Sequence, residues 1–162
     1  MRTRKTWREK LEKQQPPKVV AIPPKMRKRL GTGTLLIPTP LEVDALIRTV
    51  KRGQLTTYSR IREFLAAMHC ADTTCPMVTG IFVWISANAA EEDALLRKPH
   101  ITPYWRVLKD NGALNPRFPG GVKAQAQKLR AEGHVIDSSR KIPRVVAFEQ
   151  RLAVLGAAAA RA

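Results

Sequence analysis

Between Pro103 and Gly133 the chain gathers the side chains best equipped for chemistry: the Tyr104 phenol, the Trp105 indole, the Arg106 guanidinium, Lys109, Asn111, Phe118, Lys123 and the Glu132 carboxylate. Neither adjacent ring is a nucleophile near neutral pH. A phenol titrates near ~10, and an indole N–H only donates a hydrogen bond. Two neighbouring rings can instead stack on a nucleobase, at about 1–3 kcal/mol per base. They can equally fill space between elements. Lys109 or Lys123 set against Glu132 would suit a lysine nucleophile with a general base, but no spacing supports that pairing. His69, Cys70 and Cys75 have no obvious fourth ligand nearby, so no metal is expected. The sequence has no phosphate loop and no Gly-x-Gly-x-x-Gly run, so no cofactor is expected either. Glu91-Glu92-Asp93 reads most simply as a solvated helix start.

Charge narrows the partner. The 162 residues carry a formal net charge of +16, of which +9 falls in residues 1–30. Such a field attracts a polyanion, and nucleic acid is the first candidate. A ribosome or a membrane surface would attract the same total, so charge alone does not choose among them. Hydrophobic content of 44% suits one domain with extensions. No apolar run approaches the ~18–20 residues that span a bilayer, so no membrane partner is expected. The charged start, Met1 to Trp7, leads into no apolar stretch and is not expected to be a secretory signal. Two cysteines fit a reducing compartment better than a disulfide framework, and the expected location is cytoplasmic and nucleoid-associated.

The elements that must position these residues begin with a basic, proline-containing arm, residues 1–38. Thr6 to Gln14 suits a short helix, whereas Pro16-Pro17 and Pro23-Pro24 oppose helix after it. Such an arm either tracks phosphates or a minor groove, or serves as a solubilising tail. The domain proper is expected over 39–136, opening with a capping box at Thr39-Pro40-Leu41-Glu42. Leu41, Ala45, Leu46 and Val50 follow at helical spacing up to Gly53. A second helix after Thr56-Thr57 is expected to bury Ile61, Phe64, Leu65 and Met68. A turn around His69–Thr74 leads to a third helix from Pro76 to about Ile85, so the pair forms a helix-turn-helix. A separate acidic helix is expected over Ala89–Arg97. Ile101–Leu108 reads as a strand and Asp110-Asn111-Gly112 as the tight turn of a hairpin. After Gly120-Gly121 a helix runs to Glu132. A C-terminal extension, 137–162, holds a last strand or helix (Ile142 to Leu155) and an Ala-rich tail.

The run Pro103-Tyr104-Trp105-Arg106-Val107, Asn111-Gly112, Gly120-Gly121 and Glu132-Gly133 resembles the active-site segment of the O6-alkylguanine-DNA alkyltransferases. That family reads Pro-Cys-His-Arg-Val, a glycine turn, Gly-Gly and Glu-Gly. The resemblance covers the family's C-terminal domain, from about Leu41 to Gly133; no counterpart of its N-terminal domain is visible. Gly53-Gln54-Leu55-Thr56-Thr57-Tyr58 is similar to Gly-x-Val-x-Thr-Tyr, whose tyrosine helps rotate a nucleotide out of the duplex. Val78-Thr79-Gly80 is similar to Ala-Val-Gly of the recognition helix. The family's arginine finger would fall on Met77, which is either an apolar wedge between base steps or an ordinary helix residue.

Tyr104 and Trp105 stand where the acceptor cysteine and its histidine would be. A thiolate attacks an alkyl carbon because it is soft and readily formed beside a base; neither ring repeats that chemistry. The resemblance is therefore to the catalytically dead, alkyltransferase-like branch. It implies a mainly α fold with a small β-hairpin, a winged helix-turn-helix, and a non-enzymatic, monomeric protein. Its partner would be double-stranded DNA, gripped through the minor groove, with a repair protein as a second partner. DNA contacts would come from Thr57, Tyr58, Thr73, Thr74, Met77, Arg106, Lys109, Asn111 and Lys123. A base pocket for an alkylated or damaged base would be lined by Tyr58, Tyr104, Trp105, Phe118 and Glu132. The alternative is a structural or regulatory basic winged-helix protein that binds DNA, RNA or a protein partner without reading lesions.

Overall fold

Thr39 accepts a hydrogen bond from the Glu42 N–H through its hydroxyl, and Glu42 accepts from the Thr39 N–H at 2.9 Å, so the capping box forms as its residues dictate. It opens helix α3, Pro40–Arg48. The computed structural model describes residues 3–156; the Ala-rich tail lies outside the described residues. Around α3 are α4 (Tyr58–Met68), α5 (Pro76–Leu95) and α6 (Gly121–Ala131), preceded by α1 (Trp7–Leu11) and α2 (Arg27–Leu30). Among the described residues, seven short strands complete the mainly α fold: β1 (Lys18–Ala21), β2 (Thr34–Ile37), β3 (Thr56–Thr57), β4 (Thr73–Thr74), β5 (Val107–Leu108), β6 (Ile136–Asp137) and β7 (Arg144–Val145). The main core joins Val43 and Ile47 of α3, Ile61 and Leu65 of α4, and Val83 and Ala87 of α5. A second cluster gathers Leu55, Leu108, Leu114 and Leu129.

The third helix is longer than its sequence signals suggest. α5 runs unbroken for 20 residues and absorbs the acidic segment expected as a separate helix. Nothing between Ile85 and Ala89 breaks a helix: Asn88 donates to the Trp84 carbonyl within the same helix. Its apolar middle is covered from more than one side, because α1 lies against it with Trp7 edge-on to Trp84, ring centroids 4.6 Å apart. Met68, expected on the buried face of α4, is 59% exposed, whereas Ile61 and Leu65 are buried.

Residues expected to trail as an arm fold onto this core. Leu11 is fully buried. The Glu92 carboxylate accepts from the Trp7 and Arg8 N–H groups, both at 2.9 Å, and so neutralises the free amides at the start of α1. Arg8 pairs with the buried Asp93 carboxylate. β1 and β2 pair antiparallel, and β2 continues parallel to β4, the strand just before α5. The prolines that exclude helix here leave short extended runs free to pair.

The expected strand over Ile101–Leu108 is reduced to β5, after a 3-10 turn at Tyr104–Arg106. A strand would send Tyr104 and Arg106 to one face; the turn lets the ring enter the core while Arg106 reaches Glu132. The Asp110–Gly112 turn closes, with Gly112 N–H donating to the Lys109 carbonyl at 2.8 Å. It does not extend into a two-stranded wing, because β5 pairs parallel with β3 and Ala113 bridges to Arg144. The antiparallel pairs are β1–β2 and β6–β7. Beyond β7 the chain forms a 3-10 turn, Phe148–Arg151, and returns to Leu55, where the Ala153 N–H donates to the Leu55 carbonyl at 2.8 Å. Ile142 to Leu155 is thus neither a continuous strand nor a helix.

Candidate nucleic-acid interface

α4, the turn over 69–75 and the start of α5 form the helix-turn-helix. Thr57 caps α4 by accepting the Arg60 N–H at 3.3 Å. The turn is held from behind: His69 Nε2 lies 2.5 Å from the Glu42 carboxylate, the Thr74 hydroxyl donates to the Arg62 carbonyl at 2.8 Å, and the Cys75 N–H donates to the Leu36 carbonyl at 2.9 Å. With its back tied, the turn delivers the first residues of α5 outward, and Met77 is 69% exposed.

Loop 109–118 closes against the start of α4. Asp110 accepts from the Ser59 N–H at 2.9 Å and from the Ser59 hydroxyl at 2.5 Å, while Asn115 donates its amide to the Tyr58 hydroxyl oxygen at 2.8 Å. Burial pushes the Tyr58 phenol up to about 12, against the Asn115 hydrogen bond that favours ionisation, so it stays neutral near pH 7. Arg60, Lys109, Asn111 and Arg117 are exposed around this junction. Among the described residues, none of these three cations lies within salt-bridge distance of a carboxylate.

The expected DNA-contacting residues divide in two. Met77, Lys109, Asn111 and Lys123 are exposed, and Thr73 and Tyr58 are half-buried. Thr57 and Thr74 are instead buried, and the half-buried Arg106 is turned toward Glu132. Thr57 is 5% exposed as a helix cap and Thr74 is fully buried. The Arg106 guanidinium grips both Glu132 oxygens, the shortest contact 2.7 Å, and donates to the Val50 carbonyl at 2.6 Å. A guanidinium whose Nε–Nη2 edge is bound to a carboxylate presents that fork inward rather than to a phosphate.

The five expected base-pocket residues lie close together, Tyr104 and Phe118 buried and Tyr58, Trp105 and Glu132 half-buried. Tyr104 and Phe118 are 1% and 2% exposed, their centroids 5.3 Å apart and edge-to-face. Trp105 meets Tyr104 edge-on at 5.4 Å and donates its indole N–H to Glu132 at 3.0 Å. Tyr58 packs against the same cluster. The Tyr104 hydroxyl donates to Glu91 at 2.5 Å; burial first, then that carboxylate, raises its pKa far above the usual range. Burial works against ionisation of Glu132, yet Arg106, the Trp105 N–H and the Gly53 N–H together hold its carboxyl below the usual range. Beside the Tyr104 hydroxyl an open cleft of about 540 Å³ runs between α5 and α6, lined by Glu91, Pro119, Gly120, Ala124 and Lys128 among others. Gly120 stands at the start of α6 with φ +77°, and a Cβ there would come within 2.6 Å of Ala124; the Gly-Gly pair is a requirement of this tight entry.

Sequence reasoning missed Asp110 and Asn115 as the groups that fix the start of α4. Their neighbourhood in the turn was legible, but their reach across to Ser59 and Tyr58 was not. It also missed Lys25, Arg27, Lys28 and Arg29, seen only as part of a charge count.

No protein-family model matches the chain, and no curated protein does. Among solved structures it is similar to the crystal structure of S. pombe Atl1 in complex with damaged DNA containing O6-carboxymethylguanine. The TM-score is 0.50 at 16% identity, over 70% of this chain and 93% of that one. The two share a mainly α fold.

Proposed function

We propose that this protein grips double-stranded DNA without covalent chemistry, presenting the first turn of α5 and loop 109–118 to the duplex. One observation carries this. On a fold whose solved neighbour holds damaged DNA, the exposed cations Arg60, Lys109 and Arg117 have no carboxylate partner among the described residues, whereas the Arg106 guanidinium is paired with Glu132. Unpaired cations beside a helix-turn-helix supply the phosphate term that dominates DNA affinity. Met77, 69% exposed at the start of α5, supports this as an apolar side chain of the kind that minor-groove binders insert between base steps. No thiol occupies the segment from Pro103 to Gly133, so alkyl transfer to a cysteine there has no acceptor.

The experiment is a titration against a plain duplex and one containing O6-methylguanine, each at two salt concentrations. Binding that weakens steeply with salt is expected. Binding indifferent to salt, or none at low salt, removes the duplex reading and leaves the basic scaffold for RNA or a protein. With Tyr104 and Phe118 packed together, near-equal affinity for the two duplexes is expected. Lesion recognition is the second reading, favoured by the open cleft beside the Tyr104 hydroxyl. A preference of about tenfold or more for the alkylated duplex, some 1.4 kcal/mol, establishes it.

A further inference from the structure

The insertion between β1 and β2 carries Pro24-Lys25-Met26-Arg27-Lys28-Arg29-Leu30, and residues 13–41 contain no acidic residue at all. This segment does not hang free. Met26 and Leu30 pack on the cluster of Ile22, Leu35 and Cys75, against which Val78 of α5 also packs. Its return to β2 is clasped to the helix-turn-helix turn: Asp72 accepts from the Thr34 N–H at 2.8 Å and from the Thr34 hydroxyl at 3.0 Å. Those hydrogen bonds hold the exposed Asp72 carboxyl below its ordinary range. Gly33, at φ +124°, is where the clasp closes, since a Cβ there would sit 2.3 Å from the Asp72 carboxylate. The segment is therefore fixed relative to the start of α5.

Between the two lies a groove of about 550 Å³ lined by Lys25, Met26, Arg29, Leu30, Pro76 and Met77. Its floor is thioether and aliphatic, and its rim is cationic. Lys25, Arg27, Lys28 and Arg29 are all exposed. Among the described residues, none of the four reaches a carboxylate. A nucleic-acid strand has the complementary chemistry, with apolar deoxyribose faces alternating with phosphates.

We propose that this groove seats the sugar-phosphate strand flanking the site where α5 meets the duplex, with Met26, Leu30 and Met77 against the sugars, Lys25 and Arg29 of the groove wall on the phosphates, and the exposed Arg27 and Lys28 beside the groove adding to the same positive field. The proposal rests on the duplex-binding reading and extends it with a second contact. It makes the footprint asymmetric, longer on the side of the insertion.

The test uses the full chain and its Lys25→Gln/Arg27→Gln/Lys28→Gln/Arg29→Gln variant, whose four changes break no internal contact described above. Binding to a plain duplex is followed across salt, with hydroxyl-radical footprinting alongside. Each lost phosphate contact flattens the slope of log K against log salt by about 0.9, so a change of ~2–4 is expected. Protection is expected to vanish on one flank and persist at the centre. A wild-type chain that binds while the variant keeps both slope and flank overturns this inference and leaves duplex binding standing. A wild-type chain that binds no duplex overturns both. Loss of retention on phosphatidylserine vesicles with an unchanged DNA footprint assigns the patch to a membrane surface and likewise overturns it.

Discussion

Glu132 takes donors from three directions, Arg106, the Trp105 indole and the Gly53 N–H, with its side chain 7% exposed. Removing the charge leaves the Arg106 guanidinium, its side chain only 13% exposed, without a counter-ion. Glu132→Gln is therefore expected to cost about 3 kcal/mol, read as a lower urea midpoint with Trp fluorescence as the probe. Tyr104 poses the sharper question. If the ring is core, Tyr104→Ala costs about 3–5 kcal/mol, as other large buried rings do. A platform for an extruded base would instead lose lesion affinity at unchanged stability. Nearby, His134 is 9% exposed and its Nε2 has no partner among the described residues; burial, aided by Arg151 and Arg106 against Glu132, lowers its pKa. A lowered pKa favours the folded state above the unfolded value of ~6.5, and that contribution is lost as pH falls through the folded value. Glu132, also lowered, gives up its contribution only below ~4.3. Stability is thus expected to fall in two stages on acidification, and His134→Gln to abolish the upper one in melts recorded across pH. The types of these residues and their convergence were readable from the chain; whether they enclosed a cavity or filled it depended on a few ångströms that no spacing encodes.

Elements show a different pattern of legibility. α3, α4 and α6 declared themselves through caps and periodicity, because capping boxes and glycine entries are local chemistry. The strand pairs did not. β3 and β5 are two residues each and meet across some fifty positions, a partnership that leaves no alternating pattern. α1 was foreseen as a short helix, yet its docking was not, since one buried leucine and one tryptophan are too few to mark a packed face. Its attachment to α5 gives a direct test. Leu11 is fully buried, so Leu11→Ala is expected to destabilise the whole domain by about 2–4 kcal/mol in urea unfolding. A solubilising tail would register no change. Trp7 sits edge-on to Trp84 and reports undocking as a change in fluorescence at low denaturant.

At the scale of the molecule, the excess of +9 in residues 1–30 and the fold of those residues are inseparable. Deleting a basic N-terminal segment is the usual way to ask whether affinity resides in it. Here deletion of residues 1–38 also removes Leu11, Ile22, Leu35 and Leu36, all within 3% of complete burial, and β2, which backs β4 at the helix-turn-helix. Four aliphatic side chains at about 1.5–3 kcal/mol each rival the total stability of a small domain. The truncated chain is expected to lose its cooperative thermal transition and most of its near-ultraviolet dichroism, at any salt and with no DNA present. A truncated chain that melts as sharply as the full one would show that the core closes without the segment, and would return those residues to the status of an arm. Substituting the four exposed cations of the insertion removes charge and leaves the framework, so any change in binding that follows belongs to charge alone.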